Sequence, residues 1–403
     1  MKRNVDAERV IIAGAGPVGL CAAVYLAQQG IPTTVLEADA SLPTDLRAST
    51  FHPPTLDMLD QFGVTQALMD WGLLAPTWQY RDRQTGPVAT FDLAALRDVT
   101  NHPYRVQSEQ WKLTRLLLKK LQDMGAADVR FGHAVVDATQ DADYATVEAT
   151  TPDGKSEHLV GRYVIGAEGS KSPIRRALGL EFEGFTIPEM YLTLSTTFEF
   201  ADHFPGLTYV NYLSDPDEWL VLLRVRDHWR VLLPTDAAMP RETVYSEAEV
   251  QRRLNRVVKS DRPYDVVHRT LYTVHERVVP TYRVGRIALA GDAAHINNPL
   301  GGMGMNGGVH DAFNLAEKLT KVWRGEADAG LLDRYSRQRR MVAVEYVQAN
   351  ALRNRQILNE RDPAVRLQRQ DELRRTAESP ALAKEYLLKT SMITALRDAE
   401  AVQ

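Results

Sequence analysis

The chain has 403 residues, 44% of them hydrophobic and 25% charged, with a formal net charge of -4. That length supports two or three hydrophobic cores, and the slightly acidic balance offers no field for nucleic acid or an anionic membrane. One cysteine, Cys21, excludes an internal disulfide and a thiolate cluster for zinc or iron–sulfur, and fits a reducing, cytoplasmic setting.

Residues 10–27 form an apolar run long enough to be scanned as a signal or membrane segment, but Gly14, Gly16, Pro17 and Gly19 interrupt it and Asp6 and Glu8 precede it. A strand ending at Ala13, a tight turn G-A-G-P-V-G (Gly14, Ala15, Gly16, Pro17, Val18, Gly19), a helix closing near Gly30 and a strand over 33–36 that ends in Glu37 explain every residue. This βαβ unit predicts dinucleotide binding. Gly14 permits the turn, Gly16 admits a pyrophosphate to the helix N-terminus, Gly19 allows close helix–strand packing, and Glu37, followed by Ala38, meets a ribose hydroxyl. The motif does not choose between NAD and FAD.

Further along, "DGKS" at 153–156 suggests a phosphate loop, but position 149 is Ala149 where that loop needs glycine, so Pro152-Asp153-Gly154 is expected to be a hairpin turn. The basic clusters Lys171/Arg175/Arg176 and Arg337/Arg339/Arg340 sit in helical patterns and are expected on solvated faces. Residues 191–200 and 207–235, rich in β-branched, aromatic and leucine residues and broken by Ser214-Asp215-Pro216, predict sheet strands. On these, Tyr212 and Trp219 are pocket candidates. His275-Glu276 lacks a second histidine for zinc, and no other His/Asp/Glu spacing suggests a metal. Residues 286–290 then repeat the strand-to-helix logic. Asp292 stands at the strand end, Gly301, Gly302 and Gly304 are expected to form a loop against which a flat ring can lie, and a helix is expected from Gly308 with Val309, Ala312, Phe313, Leu315, Ala316 and Leu319 apolar. His295 is expected to be structural. Beyond Gly330 the pattern is helical and charged.

Three motifs in order carry a resemblance: GAGPVG with Glu37, "VIGAEGSKSPIR" at 164–175, and "GDAAHINNPLGGMGMN" at 291–306. The chain resembles the FAD-dependent aromatic hydroxylases, the group A flavoprotein monooxygenases typified by para-hydroxybenzoate hydroxylase, over most of its length. The resemblance implies an α/β fold: a Rossmann-like FAD-binding domain from 1–77, 104–182 and 270–330, a mixed β-sheet substrate domain from 78–103 and 183–269, and a C-terminal helical region over 331–403. It implies that Asp292, beside Gly291, holds the flavin ribityl hydroxyls, and that Pro299 lies by the isoalloxazine. Gly301 and Gly304 would admit the ring, and the amides of Met305 and Asn306 would receive its N1/O2 edge. By the same resemblance Arg47 lies near the pyrophosphate, Gln107 near the ribityl chain, and Val136 beside the adenine. Glu168 stands where the family has aspartate, one methylene shorter, in a link between FAD and the nicotinamide donor. His52, after the Arg47 loop, is a candidate proton acceptor with a hydrogen-bonded structural role as its alternative.

The activity implied is hydroxylation of a small phenolic or heteroaromatic substrate. In it NADH or NADPH reduces the flavin, O2 adds to form a C4a-hydroperoxide, and an oxygen atom passes to the ring. Asp39 and Asp45, with no Lys or Arg between them and Arg47, favour NADH over the 2′-phosphate of NADPH. An FAD reductase or halogenase relative and a non-catalytic FAD-carrying binding protein are the alternatives. The particular aromatic and the oligomeric state are not legible in the sequence.

Overall fold

The computed structural model describes residues 7–46 and 48–403. Arg47, expected near the FAD pyrophosphate, lies outside the described residues.

The first strand, Val10–Ala13, is buried throughout and pairs in parallel with Thr33–Glu37 on one side and Tyr163–Gly166 on the other. These are the inner members of a six-stranded sheet ordered Arg283–Val284, Ile287–Leu289, Tyr163–Gly166, Val10–Ala13, Thr33–Glu37, Ala127–Phe131. Its inner strands read as continuous apolar runs because both faces are covered, as parallel sheets require. Helix Pro17–Gln28 packs along helix Met303–Trp323. Glycine makes that approach possible: a Cβ on Gly291 or Gly308 would fall 2.8 or 2.6 Å from Val18 Cγ2.

The long helix begins at Met303, five residues before the expected start at Gly308. The glycines that argue for a loop there are tolerated in a helix whose buried face demands small residues. Gly302, with φ 67°, supplies the left-handed N-cap that lets the helix start at once. The ring-facing loop is therefore confined to residues up to Gly302, and Gly304, Met305 and Asn306 occupy the first helical turns.

The second sheet has eight strands in the order His295–Ile296, Val266–Val278, Glu183–Thr196, Trp229–Asp236, Leu220–Arg224, Val210–Ser214, Thr77–Asp82, Gly86–Asp92. Strand Val266–Val278 runs across residue 270 and His295–Ile296 adds to its edge, so this sheet reaches further along the chain than a border at 269/270. Alternation splits its faces. Leu192, Leu194, Leu222 and Val231 pack with Val250 and Leu254 of helix Glu247–Val257. Tyr191, Tyr212, Trp219, Trp78 and Tyr80 face the other way and gather with Leu300 of the glycine-rich segment and with Leu358, Tyr386 and Leu387 of the C-terminal helices. Residues 331–403 thus close the aromatic side of the sheet.

The hairpin between Ala145–Thr150 and Ser156–Gly161 turns at 152–154 with Gly154 at φ 79°. Two basic residues expected on solvated faces are buried. Arg175 lies over the Phe182 ring at 3.9 Å, and Arg339 is sealed against Asp311. Helical spacing alone could not separate them from their exposed neighbours, because what covers them, the Phe182 ring and Asp311, lies outside their own helices. Among the described residues no helix is long and apolar enough to cross a membrane.

Candidate active site

The dinucleotide loop is built as its residue types require. Gly14, at φ 99°, passes so close to the neighbouring loop that a Cβ would fall 2.5 Å from the Ala167 carbonyl, and a Cβ on Gly19 would fall 2.0 Å from the Gly14 carbonyl. A Cβ on Gly16 would meet nothing within 4 Å, and no side chain caps the helix that starts at Pro17. An uncapped helix start with room beside its N-cap suits a phosphate. Glu37 accepts the Ala15 amide at 2.7 Å and the Asp39 amide at 3.0 Å, which fixes its carboxylate beside that cradle. The His133 amide donates to the Glu37 carbonyl at 2.8 Å and brings strand Ala134–Gln140, with exposed Val136, alongside exposed Ala38.

Glu168 folds back onto its own turn. Its carboxylate accepts Ser172 Oγ at 3.0 Å and the Ile174 amide at 3.2 Å, capping helix Pro173–Ala177 from outside, and burial pushes its pKa up to about 7. The extra methylene relative to aspartate gives it that reach.

Asp292 is exposed on a turn of 3-10 helix, Gly291–Ala293, which opens with Gly291 at φ 60°. A buried carboxylate holds this turn from behind: Asp311 Oδ2 accepts the Gly291 amide at 3.0 Å and His295 Nε2 at 2.9 Å, while Oδ1 accepts Arg339 Nε at 2.5 Å. Burial alone would raise the Asp311 carboxyl, but the Arg339 and His295 charges outweigh it and hold it at about 2. His295 is structural, as its position suggested.

From there the backbone enters a tight turn closed by the Gly302 amide donating to the Pro299 carbonyl at 3.0 Å, with Gly301 at φ 106° in the position where a type II turn demands glycine. Gly304 has no positive φ, and a Cβ on it would meet only Asn297 Oδ1 at 3.1 Å. Asn306 is buried and ties the turn to a second loop: its Oδ1 accepts the His52 amide at 2.9 Å and its Nδ2 donates to the Thr50 and Gly302 carbonyls at 2.8 and 2.6 Å. His52 is fully buried as well. Its Nε2 lies 2.9 Å from the Gly301 carbonyl while Nδ1 has no partner, and burial with the nearby Arg105 charge holds it well below the usual histidine range. It is neutral, with Nε2 donating to Gly301.

Strand Arg105–Gln107 runs beside this loop. Gln107 accepts Thr50 Oγ1 at 3.0 Å and leaves a buried Nε2 unpartnered. Arg105, two residues away on the same face, is buried over the Trp78 ring, and Tyr212 packs in the same aromatic cluster as Leu300 of the glycine turn. Tyr212 thus reaches the glycine turn, whereas Trp219 stands one layer behind, edge-on to Tyr191 at 5.3 Å. From the substrate sheet Arg230 reaches Ser49 Oγ at 2.8 Å and the Leu46 carbonyl at 3.0 Å, strapping both flanks of position 47. Arg105, Arg230 and Asp311 were not singled out by the sequence. The period-2 spacing of Arg105 to Gln107 was a usable signal; the other two sit in strand and helix patterns that look ordinary.

Residues 7–350 match the family model described as an FAD binding domain. The chain is 33% identical over 397 residues to a para-nitrophenol 4-monooxygenase of Pseudomonas sp. (strain WBC-3), covering 96% of each protein. It is 32% identical over 359 residues to a 6-hydroxy-3-succinoylpyridine 3-monooxygenase of Pseudomonas putida, covering 88% of this chain and 90% of that one. The crystal structure of a p-nitrophenol 4-monooxygenase from Pseudomonas putida DLL-E4 superposes with a TM-score of 0.87 at 33% identity, covering 95% of this chain and 98% of that chain. A nucleotide cradle at Gly16, an acid-bearing turn at Asp292 and a glycine turn facing an aromatic sheet are thus found together in a chain that belongs to the FAD-dependent aromatic monooxygenases.

Proposed function

We propose that the enzyme hydroxylates a small phenolic or heteroaromatic ring, with NADH used at least as well as NADPH. The observation that carries the reading is that one short turn meets both halves: the Gly301 carbonyl meets His52 from the expected cofactor side, and Leu300 packs with Tyr212 in the aromatic cluster of the second sheet. The turn thereby separates a nucleotide-binding half from an apolar, tyrosine-rich half.

When bound, FAD supplies the redox chemistry, taking electrons from NAD(P)H and activating O2 for transfer of one oxygen atom to the substrate. The protein's own residues have narrower tasks. Gly14, Ala15, Gly16, Pro17, Val18 and Gly19 seat the pyrophosphate, Glu37 and Ala38 the ribose, and Val136 the adenine edge, which the open space before Gly16 supports. Asp292 and Gln107 hold the ribityl hydroxyls, Arg47 neutralises the pyrophosphate, and Gly291 sets the turn under Asp292. Pro299, Gly301, Gly304 and the amides of Met305 and Asn306 face the ring, where a helix start stabilises negative charge. Neutral His52 orients the Gly301 carbonyl. Tyr212 binds substrate, Trp219 supports Tyr191 behind it, and the packed aromatic face excludes water. Glu168, engaged with Ser172 and Ile174, shapes the turn beside Gly14 more than it meets the nicotinamide. Asp39, exposed after the second strand, disfavours the 2′-phosphate of NADPH.

The test is a screen of phenols and heteroaromatic acids for stimulation of NADH and NADPH oxidation, with O2 uptake and product mass. One or more compounds should stimulate oxidation and gain one oxygen atom. Halogenated or reduced product, or no stimulation by any compound, would refute the reading, and a strong NADPH preference would refute its donor assignment.

A further inference from the structure

Trp78, Tyr80 and Tyr212 form a cage joined by Leu300 from the glycine turn and by Leu358 from the C-terminal helices, and the sheet that backs it carries a second packed core on its far face. The cover is thinner toward the sheet edge. Strand Gly86–Asp92 is the last strand of that sheet, and its Phe91 stacks on both Trp78 and Tyr386, at 4.7 Å each. Outside it lies a cleft of about 450 Å3 lined by Phe91, Ala94, Ala95, Ala377, Pro380 and Ala383, a volume suited to a small ligand. Ala95, Ala377 and Ala383 pack into the same cluster as the cage, so the Phe91–Tyr386 pair stands between cleft and cage.

The helices over this edge are held unequally. Helix Pro363–Glu378 buries Leu373 alone of its 16 residues. Near its start Arg366 Nε and Gln370 Nε2 donate to Asp82, a carboxylate 2% exposed, at 3.0 and 2.9 Å. The next helix, Pro380–Thr390, is tied to the rim of the cleft by Lys384 on Asp98 at 2.5 Å, a pair half exposed to solvent and therefore weak. One end of this cover is a buried anchor and the other a surface latch. A segment with so little buried surface opens at low cost.

We infer that the aromatic substrate enters and leaves the cage through this cleft, with the stacked Phe91 and Tyr386 rings as the inner gate and the two helices as the cover that moves. This rests on the reading of the aromatic face as the substrate side. A route at the sheet edge lets substrate and product exchange without disturbing the glycine turn or the cofactor seated on it, and a closed cover keeps water from the cage. Its signature is kinetic. Narrowing a passage slows association and dissociation by one factor and leaves the dissociation constant, their ratio, unchanged.

The probes are para-nitrophenol, 3-hydroxybenzoate and 2-hydroxypyridine, mixed with FAD-loaded enzyme in stopped flow and followed by flavin fluorescence. Cys21 is the one cysteine and is buried, so Asp98→Cys with Lys384→Cys places a reactive pair at the latch alone. Linking the pair with a short disulfide-containing bismaleimide should slow both rates about tenfold or more, with affinity for probe and for FAD within about twofold, and dithiothreitol should restore the rates. Ala377→Trp, which fills the cleft from the cover, should slow both rates in the same way. Because the linked and released protein differ only by the bridge, misfolding does not imitate this result. The inference is overturned if linked and released enzyme bind at equal rates, or if the link or the tryptophan weakens affinity with association unchanged. In either case, normal probe binding leaves the hydroxylase reading standing. If the wild type binds none of the three probes, the reading of the aromatic face falls and the entry route falls with it.

Discussion

Asp311→Asn tests whether the turn that carries Asp292 is held by a buried charge. The substitution is nearly isosteric, but an amide offers one oxygen where the carboxylate uses two: either the Gly291 amide and His295, or Arg339, would face an NH2 group. Holding the carboxyl at about 2, from an ordinary 3.8, corresponds to about 2.5 kcal/mol at 1.36 kcal/mol per pKa unit. Leaving Arg339 buried without its partner brings the expected loss to about 3–5 kcal/mol. The pH dependence has a definite sign. Because the folded pKa lies below the unfolded one, the contribution is present above 3.8 and disappears as pH falls through about 2, so the wild type should lose stability there and the variant should lack that slope. Urea unfolding of FAD-free protein at several pH values measures both effects, and FAD titration measures the third, an affinity about tenfold weaker from a loosened Asp292 turn. A loss below about 1 kcal/mol, with wild-type FAD affinity, would refute the anchoring role.

Asp292→Ala should weaken FAD by about 1.5–3 kcal/mol, one to two decades in a flavin titration, through loss of a charged acceptor for hydroxyls. Gly308→Ala places a methyl group 2.6 Å from Val18 Cγ2 and should cost about 1–3 kcal/mol, read as a lower Tm without a change in cofactor chemistry. Gly302→Ala should lose about 1–2 kcal/mol because φ is 67° and Thr50 Cβ stands 3.2 Å from the new atom; Gly304→Ala, at ordinary φ, should keep or gain stability yet loosen the flavin ring. Glu276 is fully buried, accepts the Asn298 amide at 3.0 Å and leaves Oε2 unpartnered, and burial pushes it up to about 7. Its contribution to stability is therefore complete below the unfolded pKa near 4.5 and lost as pH rises through about 7, so melts from pH 5.5 to 8.5 should fall for wild type and stay flat for Glu276→Gln.

The nucleotide half was legible because each residue there answers a backbone constraint. Gly14 needs its positive φ and Gly19 its missing Cβ, and Glu37 falls at the end of a strand that an apolar run defines. The glycine-rich segment was legible in identity and misplaced in structure. The same small residues that suit a loop also suit a helix pressed against Val18, and nothing local decides between the two. Arg339 and Arg175 were misjudged for a related reason: charge is read as exposure until a buried partner or a ring is found, and those lie 28 and seven positions away. Arg105 drew no reading from the sequence, because the aromatic rings that bury it come from residues as distant as Trp78 and Tyr386.

The turn at Gly301 touches both halves of the site. The φ of 106° at Gly301 suits the turn, its carbonyl meets His52, and Leu300 beside it packs with Tyr212. A ring bound on the cofactor side and a ring bound in the aromatic cage would then be positioned by opposite faces of the same peptide segment. Displacement of either would be felt at the other through Gly301 rather than through a long chain of contacts. Asn306 ties that segment to Thr50 and His52, and Arg230 bonds Ser49 and Leu46 from the substrate sheet. With FAD bound, the reaction would need the substrate ring placed close to the cofactor, and a turn touched by residues of both halves would serve that placement more economically than two independently anchored pockets.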